Sequence, residues 1–335
     1  MISPSFSMSS LYSLLQNELH LIDQKISAFL TFEKEKDAVF SDMIDYVLET
    51  PGKKIRSLLV CLSFYSALQE NDITQEKKET LVSIAAAVEL IHLASLVHDD
   101  VIDDADERRE KPSVKSLWGN PAAVAFGVYL YSASLRLIAS TNNIFVLSEL
   151  SNAVHEMCKG ELFQLNSRYN FSLSKDAYFE VIRQKTADLF AAACRCGVYI
   201  AVGDNDSLKH IGDFGFGLGI LFQLSDDLLD ITGENNELRK KLGQDILEGQ
   251  VTLPLIYLKE SLNKNDFERL TSSILNKEVQ LTEFRALLDK YSIREKIQRD
   301  LDVFKNHSLT SLLTFKDSSY RSSLESILSF IYNRS

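Results

Sequence analysis

Two helical stretches, residues 81–97 and 214–224, are unusually apolar around their circumference, the first most of all over 84–88. Each runs into the same pattern, acid-acid-x-x-acid: Asp99, Asp100 and Asp103 after the first, Asp226, Asp227 and Asp230 after the second. A helix that is apolar all round belongs in the centre of a bundle. The acids are therefore expected at the ends of central helices, at the mouth of whatever the bundle encloses. The first and last acid of each set are four residues apart and share a face. Carboxylates that close repel one another unless a cation sits with them. Oxygen-only ligands point to a hard ion, and Mg²⁺ takes one or two carboxylates and completes its shell with water and phosphate. The repeated pattern predicts two helices facing each other across a polyvalent anion.

The rest of the chain fits such a bundle. Helical periodicity runs over about 9–30, 35–49, 54–69, 76–104, 118–140, 144–169, 174–202, 206–231, 251–262, 264–274, 281–291 and, in pieces, 293–333. The connections are short and polar, and Asp204 or Asp206 is placed to cap the helix that follows. No alternating run is long enough for a convincing strand, and 13 glycines and 5 prolines are too few for a turn-rich β protein. The expected fold is all-α: one helical bundle around a central cavity, forming a single domain over 1–335. Its motif-bearing core lies at about 50–262, with peripheral helices over 263–335.

The net charge of -11 argues against a nucleic-acid partner and against electrostatic membrane anchoring. It also means that a phosphate ligand would need local cations or metal. The stretch 81–97 contains Glu89 and His92 and reads as a core helix, not a transmembrane segment. Residues 1–10 show no export signal, and Cys194-x-Cys196 reads as buried free thiols, so a reducing, cytoplasmic setting is expected.

Basic residues gather near the acids. Arg108 and Arg109 follow the first cluster and carry forked donors suited to phosphate. Lys53 and Arg56, three apart, precede an apolar helix, where cations oppose the helix dipole unless they serve an anion. Lys185 and Thr186 interrupt the apolar run 181–198, Gln223 stands one turn before Asp226, and Lys240 follows the second cluster. His92 lies two turns before Asp99 on the same face.

In order along the chain stand GKKIR (52–56), LIHLASLVHDDVIDDADERREKPSV (90–114), KGELFQL (159–165), KTADLF (185–190), FQLSDDLLD (222–230) and LGQDILEGQVTLPLI (242–256). With these six pieces the chain resembles the trans-isoprenyl (polyprenyl) diphosphate synthases over about 200 residues. The resemblance implies a fold of the isoprenoid synthase type. It also implies a prenyltransferase that joins isopentenyl diphosphate head-to-tail to an allylic diphosphate, works as a homodimer or within a hetero-oligomer, and uses two or three Mg²⁺ per site. Asp99, Asp100, Asp103, Asp226, Asp227 and Asp230 would hold the metal. Arg108, Lys185 and Lys240 would bind the allylic diphosphate, and Lys53, Arg56, His92 and Arg109 that of isopentenyl diphosphate. Lys185, Thr186 and Gln223 would stand at the reacting end. Ala94 and Ser95, four and five residues before Asp99, would set chain length; family members with an aromatic there make short products, so a product beyond C20, within C30 to C45, is expected.

The chain departs from the family pattern at five positions. Pro51 and Ser57 replace the usual flanking Gly and Pro, Glu110 replaces a Gly after the two arginines, Val128 stands where Asp is common, and Gln250 stands where many members have a diphosphate-binding Lys. Longer-chain members often carry an amide at that last position. A catalytically weak or regulatory subunit is therefore the alternative reading. A class I terpene cyclase fits less well, because its second metal motif usually mixes Asn, Ser/Thr and Glu. A phosphohydrolase built on His98-Asp99 lacks further histidines at suitable positions.

Overall fold

The computed structural model describes residues 8–31, 38–49, 52–68, 72–233 and 243–334. They are helical nearly throughout, as the periodicity requires. In chain order the helices are α1 (Met8–Leu14), α2 (Gln16–Thr31), α3 (Ala38–Leu48), α4 (Ile55–Ala67), α5 (Gln75–Ile102), α6 (Val114–Trp118), α7 (Asn120–Ser140), α8 (Ile144–Asn166), α9 (Lys175–Ile182), α10 (Asp188–Ala201) and α11 (Asn205–Thr232). Then come α12 (Gln244–Leu247), α13 (Leu253–Ser261), α14 (Lys264–Leu275), α15 (Leu281–Lys290), α16 (Ile293–Leu312) and α17 (Ser319–Tyr332). Among the described residues the only strands are the two-residue pair β1 (Glu107–Arg108) and β2 (Lys111–Pro112), an antiparallel hairpin.

Side chains start the helices where the sequence provides short polar residues. Thr74 Oγ1 accepts the Lys77 N–H at 3.2 Å to open α5, and Ser174 Oγ accepts that of Ala177 at 3.1 Å to open α9. Of the two acids offered for α11, Asp204 is the cap: its Oδ1 accepts the Ser207 N–H at 2.9 Å.

The described residues gather into two compact units, each discontinuous in sequence. One comprises Met1–Asn152, Ala192–Ile211 and Phe315–Leu324; the other comprises Ala153–Ala191, Gly212–Thr314 and Glu325–Ser335. In the first, α5 is the core element, with α2, α4 and α7 packed on it. Ile84, Ala85, Ala86, Ala87 and Val88 are wholly buried, and the small alanines let neighbouring helices approach closely. Helices α5 and α7 are both long and apolar enough to cross a membrane. The buried centre of α5 is that of a core helix. The outer side of α7 keeps Val124, Val128 and Leu135 exposed.

In the second unit α13, α15 and α16 pack together, and α13 also meets α9. Its core includes Phe284, Leu288, Ile297 and Leu301, all essentially inaccessible.

The stretch expected as one helix over 174–202 is not continuous α-helix. Residues Arg183–Ala187 form a π turn between α9 and α10. The wider turn is held by close backbone approaches from two helices. A Cβ at Gly160 on α8 would lie 2.8 Å from Gln184 Cβ, and one at Gly219 on α11 would lie 2.5 Å from Ala187 Cα. Such π turns recur at functional sites, and this one carries Lys185 and Thr186.

Candidate active site

The first unit assembles the amino-terminal acids and most of the expected cations. Asp99 and Asp103 are half-buried, whereas Asp100 between them is buried. Asp100 Oδ1 accepts from Arg108 Nε at 2.7 Å. That bond uses one of the five donors of the guanidinium.

Arg108 ends β1, and Arg109 and Glu110 form the turn of the hairpin, both with left-handed backbones (φ 54 and 65). Two consecutive positive φ values are what a two-residue hairpin turn needs. This explains why glycine suits position 110 and why a glutamate there is strained. Tyr46 Oη holds the hairpin to α3 by donating to Pro112 O at 2.5 Å.

The turn delivers Arg109 to Gly52, where a Cβ would meet its guanidinium nitrogens at 2.8 and 3.0 Å. Glycine at 52 thus leaves room for the exposed Arg109 guanidinium, which brings GKKIR and the second arginine together. Lys53 is exposed, and its carbonyl accepts from Tyr12 Oη at 2.8 Å. Lys54 caps α4 with φ 50 and pairs with Asp23, away from this group.

His92 is pushed well below its ordinary pKa by burial and then by Arg56, Arg109 and Arg108. Burial and the three arginines thus favour the neutral imidazole at this position. Glu89, one turn earlier, is raised by burial, against the opposing pull of Ser57, Arg56, Lys54 and Arg109. Ser57 Oγ lies 3.0 Å from both Ala85 O and Glu89 Oε2. The residue that replaces the usual proline thus ties α4 to α5 and keeps a buried acid beside the cations.

His98 is engaged elsewhere. Its Nε2 lies 3.1 Å from Val124 O, and Gly127 makes room for the ring. It fastens α5 to α7.

The second unit repeats the acid arrangement. Asp226 and Asp230 are half-buried, and Asp227 is 5% exposed. Asp227 Oδ2 accepts from Tyr178 Oη at 2.5 Å and Oδ1 from Gln223 Nε2 at 2.7 Å. Gln223 Oε1 in turn accepts from Thr186 Oγ1 at 3.0 Å. Burial pushes the Asp227 carboxyl up to about 6; the bonds from Tyr178 and Gln223 lower it, and the charges of Asp226 and Asp230 raise it. Burial and Asp227 also raise Tyr178 well above the usual phenol range. Thr186 and Gln223, expected at the reacting end, are thus joined to the middle acid. Asp230 accepts the Gln244 and Asp245 N–H groups at 3.3 and 3.2 Å, anchoring the start of α12. Asp226 Oδ1 accepts from Arg334 Nη2 at 2.8 Å.

A cavity of about 120 Å³ lies beside this network, lined in part by Lys185, Gln164, Gln250, Asp227 and Tyr178. Lys185 Nζ is 2.5 Å from both Glu161 Oε2 and Gln164 Oε1. Gln164 Nε2 donates to Gln250 Oε1, and Gln250 Nε2 to Glu248 Oε2 at 3.3 Å. The amide at 250 therefore ends a relay that starts on Lys185. Lys240 falls outside the described residues, as does Pro51.

Sequence reasoning missed Tyr178 and Arg334 as neighbours of the second cluster. Tyr178 carries no motif, although it stands two helical turns before Lys185. The segment over 263–335 was read as peripheral, yet besides Arg334 it supplies Ile331 O, which accepts from Ser225 Oγ at 3.2 Å.

The polyprenyl synthetase family pattern matches residues 37–291. The chain belongs to the polyprenyl synthetase family. It is similar to the heptaprenyl diphosphate synthase component 2 of Geobacillus stearothermophilus, with 33% identity over 294 residues, 87% of each chain. In structure it is similar to a decaprenyl diphosphate synthase from Rhodobacter capsulatus (28% identity, TM-score 0.89, 98% of this chain and 99% of that one). It also matches a polyprenyl synthase from Caulobacter crescentus complexed with calcium and isoprenyl diphosphate (28% identity, TM-score 0.88, 98% of each). The fold is the isoprenoid synthase fold, and the protein is an enzyme of the trans-polyprenyl diphosphate synthase family.

The acids of this polyprenyl synthetase suit a hard divalent ion that arrives with phosphate. In each cluster the outer pair is half-buried and the middle acid is buried and held by hydrogen bonds. Among the described residues no three His, Cys, Asp or Glu converge closely enough to hold a metal alone. Such a site leaves most positions of an octahedral ion to water and a diphosphate, which is the habit of Mg²⁺.

Proposed function

We propose that this enzyme condenses isopentenyl diphosphate head-to-tail onto an allylic diphosphate, with Mg²⁺, to make an all-trans polyprenyl diphosphate longer than C20. The observation that carries this is the duplicated acid arrangement, with its outer carboxylates half-buried and its middle one buried and hydrogen-bonded, together with the approach of Arg109 to Gly52. The names of the heptaprenyl and decaprenyl relatives support the product class. Two or three Mg²⁺ would be held by Asp99 and Asp103 and by Asp226 and Asp230. When bound, the metal supplies Lewis-acid stabilisation of the departing diphosphate.

The chain's own residues do the rest. Arg108 and Lys185 neutralise charge that develops on the leaving group. Lys53, Arg56 and Arg109, with neutral His92, hold isopentenyl diphosphate so that its double bond meets the allylic cation. The apolar walls keep water from that cation. No side-chain base is needed if the released diphosphate takes the proton.

We read the whole chain as one catalytic domain that works in the reducing cytoplasm, where Cys61, Cys194 and Cys196 stay buried free thiols. We also read it as a homodimer. Val124, Val128 and Leu135 form an open apolar stripe on α7, and Val128, 57% exposed, stands where relatives favour an acid.

The test is turnover of the purified chain alone, its mass read by light scattering, with labelled isopentenyl diphosphate, Mg²⁺ and each allylic primer. Products beyond C20 are expected. A regulatory subunit would be silent alone and active only with a second chain; the relative named as component 2 makes that outcome worth separating.

Gln250 offers a sharper probe. In Gln250→Lys an ammonium cannot accept from Gln164, and it adds charge near Lys185. With a diphosphate present the same charge is favourable. The variant should bind the allylic primer tighter by ~1–3 kcal/mol, the range for hydrogen bonds to charged groups, and melt earlier when substrate-free. Unchanged primer KM would remove position 250 from the diphosphate site.

A further inference from the structure

We propose that Tyr178 is a positioning residue of the second metal cluster, holding Asp227 so that Asp226 and Asp230 present their carboxylates to Mg²⁺ and diphosphate. The inference rests on the reading of that cluster given above and assigns a residue that no motif contains.

Tyr178 is 3% exposed, and its hydroxyl is spent on Asp227. It donates at 2.5 Å to Asp227 Oδ2, while Gln223 Nε2 takes Oδ1 at 2.7 Å. Both oxygens of a buried carboxylate are thus engaged by neutral donors, and Gln223 is itself fixed by Thr186. Tyr178 lies on α9 and Thr186 on the π turn that continues it. One stretch of chain therefore grips Asp227 on both sides, directly and through the amide.

Once the phenol donor is lost, the buried carboxylate has only the Gln223 amide to hold it and turns away from its place between Asp226 and Asp230. That turn disturbs the set of three carboxylates that faces the metal. A phenol is suited to the task because it is a strong neutral donor that does not compete with the metal for the outer acids.

The test compares Tyr178→Phe with Tyr257→Phe. Tyr257 is also a buried tyrosine that donates to an acid, Asp300 Oδ2 at 2.5 Å, in the same unit. Two quantities are read: the thermal shift produced by Mg²⁺ with inorganic diphosphate, and the Mg²⁺ concentration for half-maximal turnover. Tyr178→Phe is expected to raise the Mg²⁺ requirement about tenfold or more, to shrink the thermal shift, and to lower kcat more than it changes primer KM. Tyr257→Phe should lower the melting temperature without moving the Mg²⁺ requirement. In an Asp227→Ala background, Tyr178→Phe should have no further effect on the thermal shift.

A Tyr178→Phe protein with the wild-type shift and Mg²⁺ requirement overturns the proposal, as does an equal change in Tyr257→Phe. A wild type that gives no shift with Mg²⁺ and diphosphate would instead overturn the underlying assignment of the metal site.

Discussion

Asp99→Ala and Asp226→Ala should each slow prenyl transfer by about 10³-fold or more while leaving the fold intact. A factor of that size is ~4 kcal/mol of transition-state stabilisation, within what a metal at a developing oxyanion supplies. The structure says why these two acids are the ones to remove. Asp226 makes an ion pair with Arg334 in which the side chains are 36% and 24% exposed, and a pair that open is worth little to stability. Asp99 is half-buried, and its backbone carbonyl, which accepts from Asp103 N at 2.8 Å, is untouched by the substitution. Asp100 and Asp227 would be poorer choices. Each is buried and bonded, so alanine there strands a partner as well as removing a charge. Circular dichroism and the melting temperature separate the two effects, and reduced repulsion between carboxylates favours the substrate-free variants. Near-normal turnover in either variant would end the two-cluster mechanism.

Ser95→Phe should shorten the product to C15–C20 while the wild type goes further from the same primers. The sequence offered Ala94 and Ser95 alike, one turn below the acid-bearing end of α5. The structure separates them. Ala94 is wholly buried, so a phenylalanine there would overpack the core at a cost of about 1–3 kcal/mol. Ser95 is half-buried, its hydroxyl donating to His92 O at 2.8 Å within its own helix. An aromatic ring at 95 can thus project without dismantling a packed layer, and the acid and arginine positions stay as they are. Chromatographic sizing of the dephosphorylated products decides it. Equal lengths from wild type and variant would take Ser95 out of the tunnel and leave the long-chain reading on the relatives alone.

The helices and the acid clusters were legible because their signals are periodic and repeated. An apolar circumference over 81–97 and an i, i+4 pair of acids mean the same thing whatever surrounds them. Contacts between distant segments were not. Nothing in GKKIR says that Gly52 lies under the Arg109 guanidinium, and nothing before Lys185 announces a π turn, since one extra residue per turn has no composition of its own. Tyr178 and Arg334 escaped for a related reason: their partners lie 49 and 108 residues away. Gln250 was noticed as a missing cation, but its place in a relay from Lys185 is a fact of space. The resemblance supplied roles for Thr186 and Gln223; their joint hold on Asp227 came only from the structure.

The hairpin turn at Arg109 and Glu110 bears on how tightly an anion is held. A free arginine on a flexible loop must be immobilised when a ligand arrives, at about 0.5–1.5 kcal/mol for such a side chain. Here two consecutive left-handed residues fix the backbone of the turn as the protein folds, and the exposed Arg109 side chain reaches from it to the bare backbone of Gly52. The backbone part of the entropy loss falls on folding, and only the arginine side chain is left to order when a diphosphate binds.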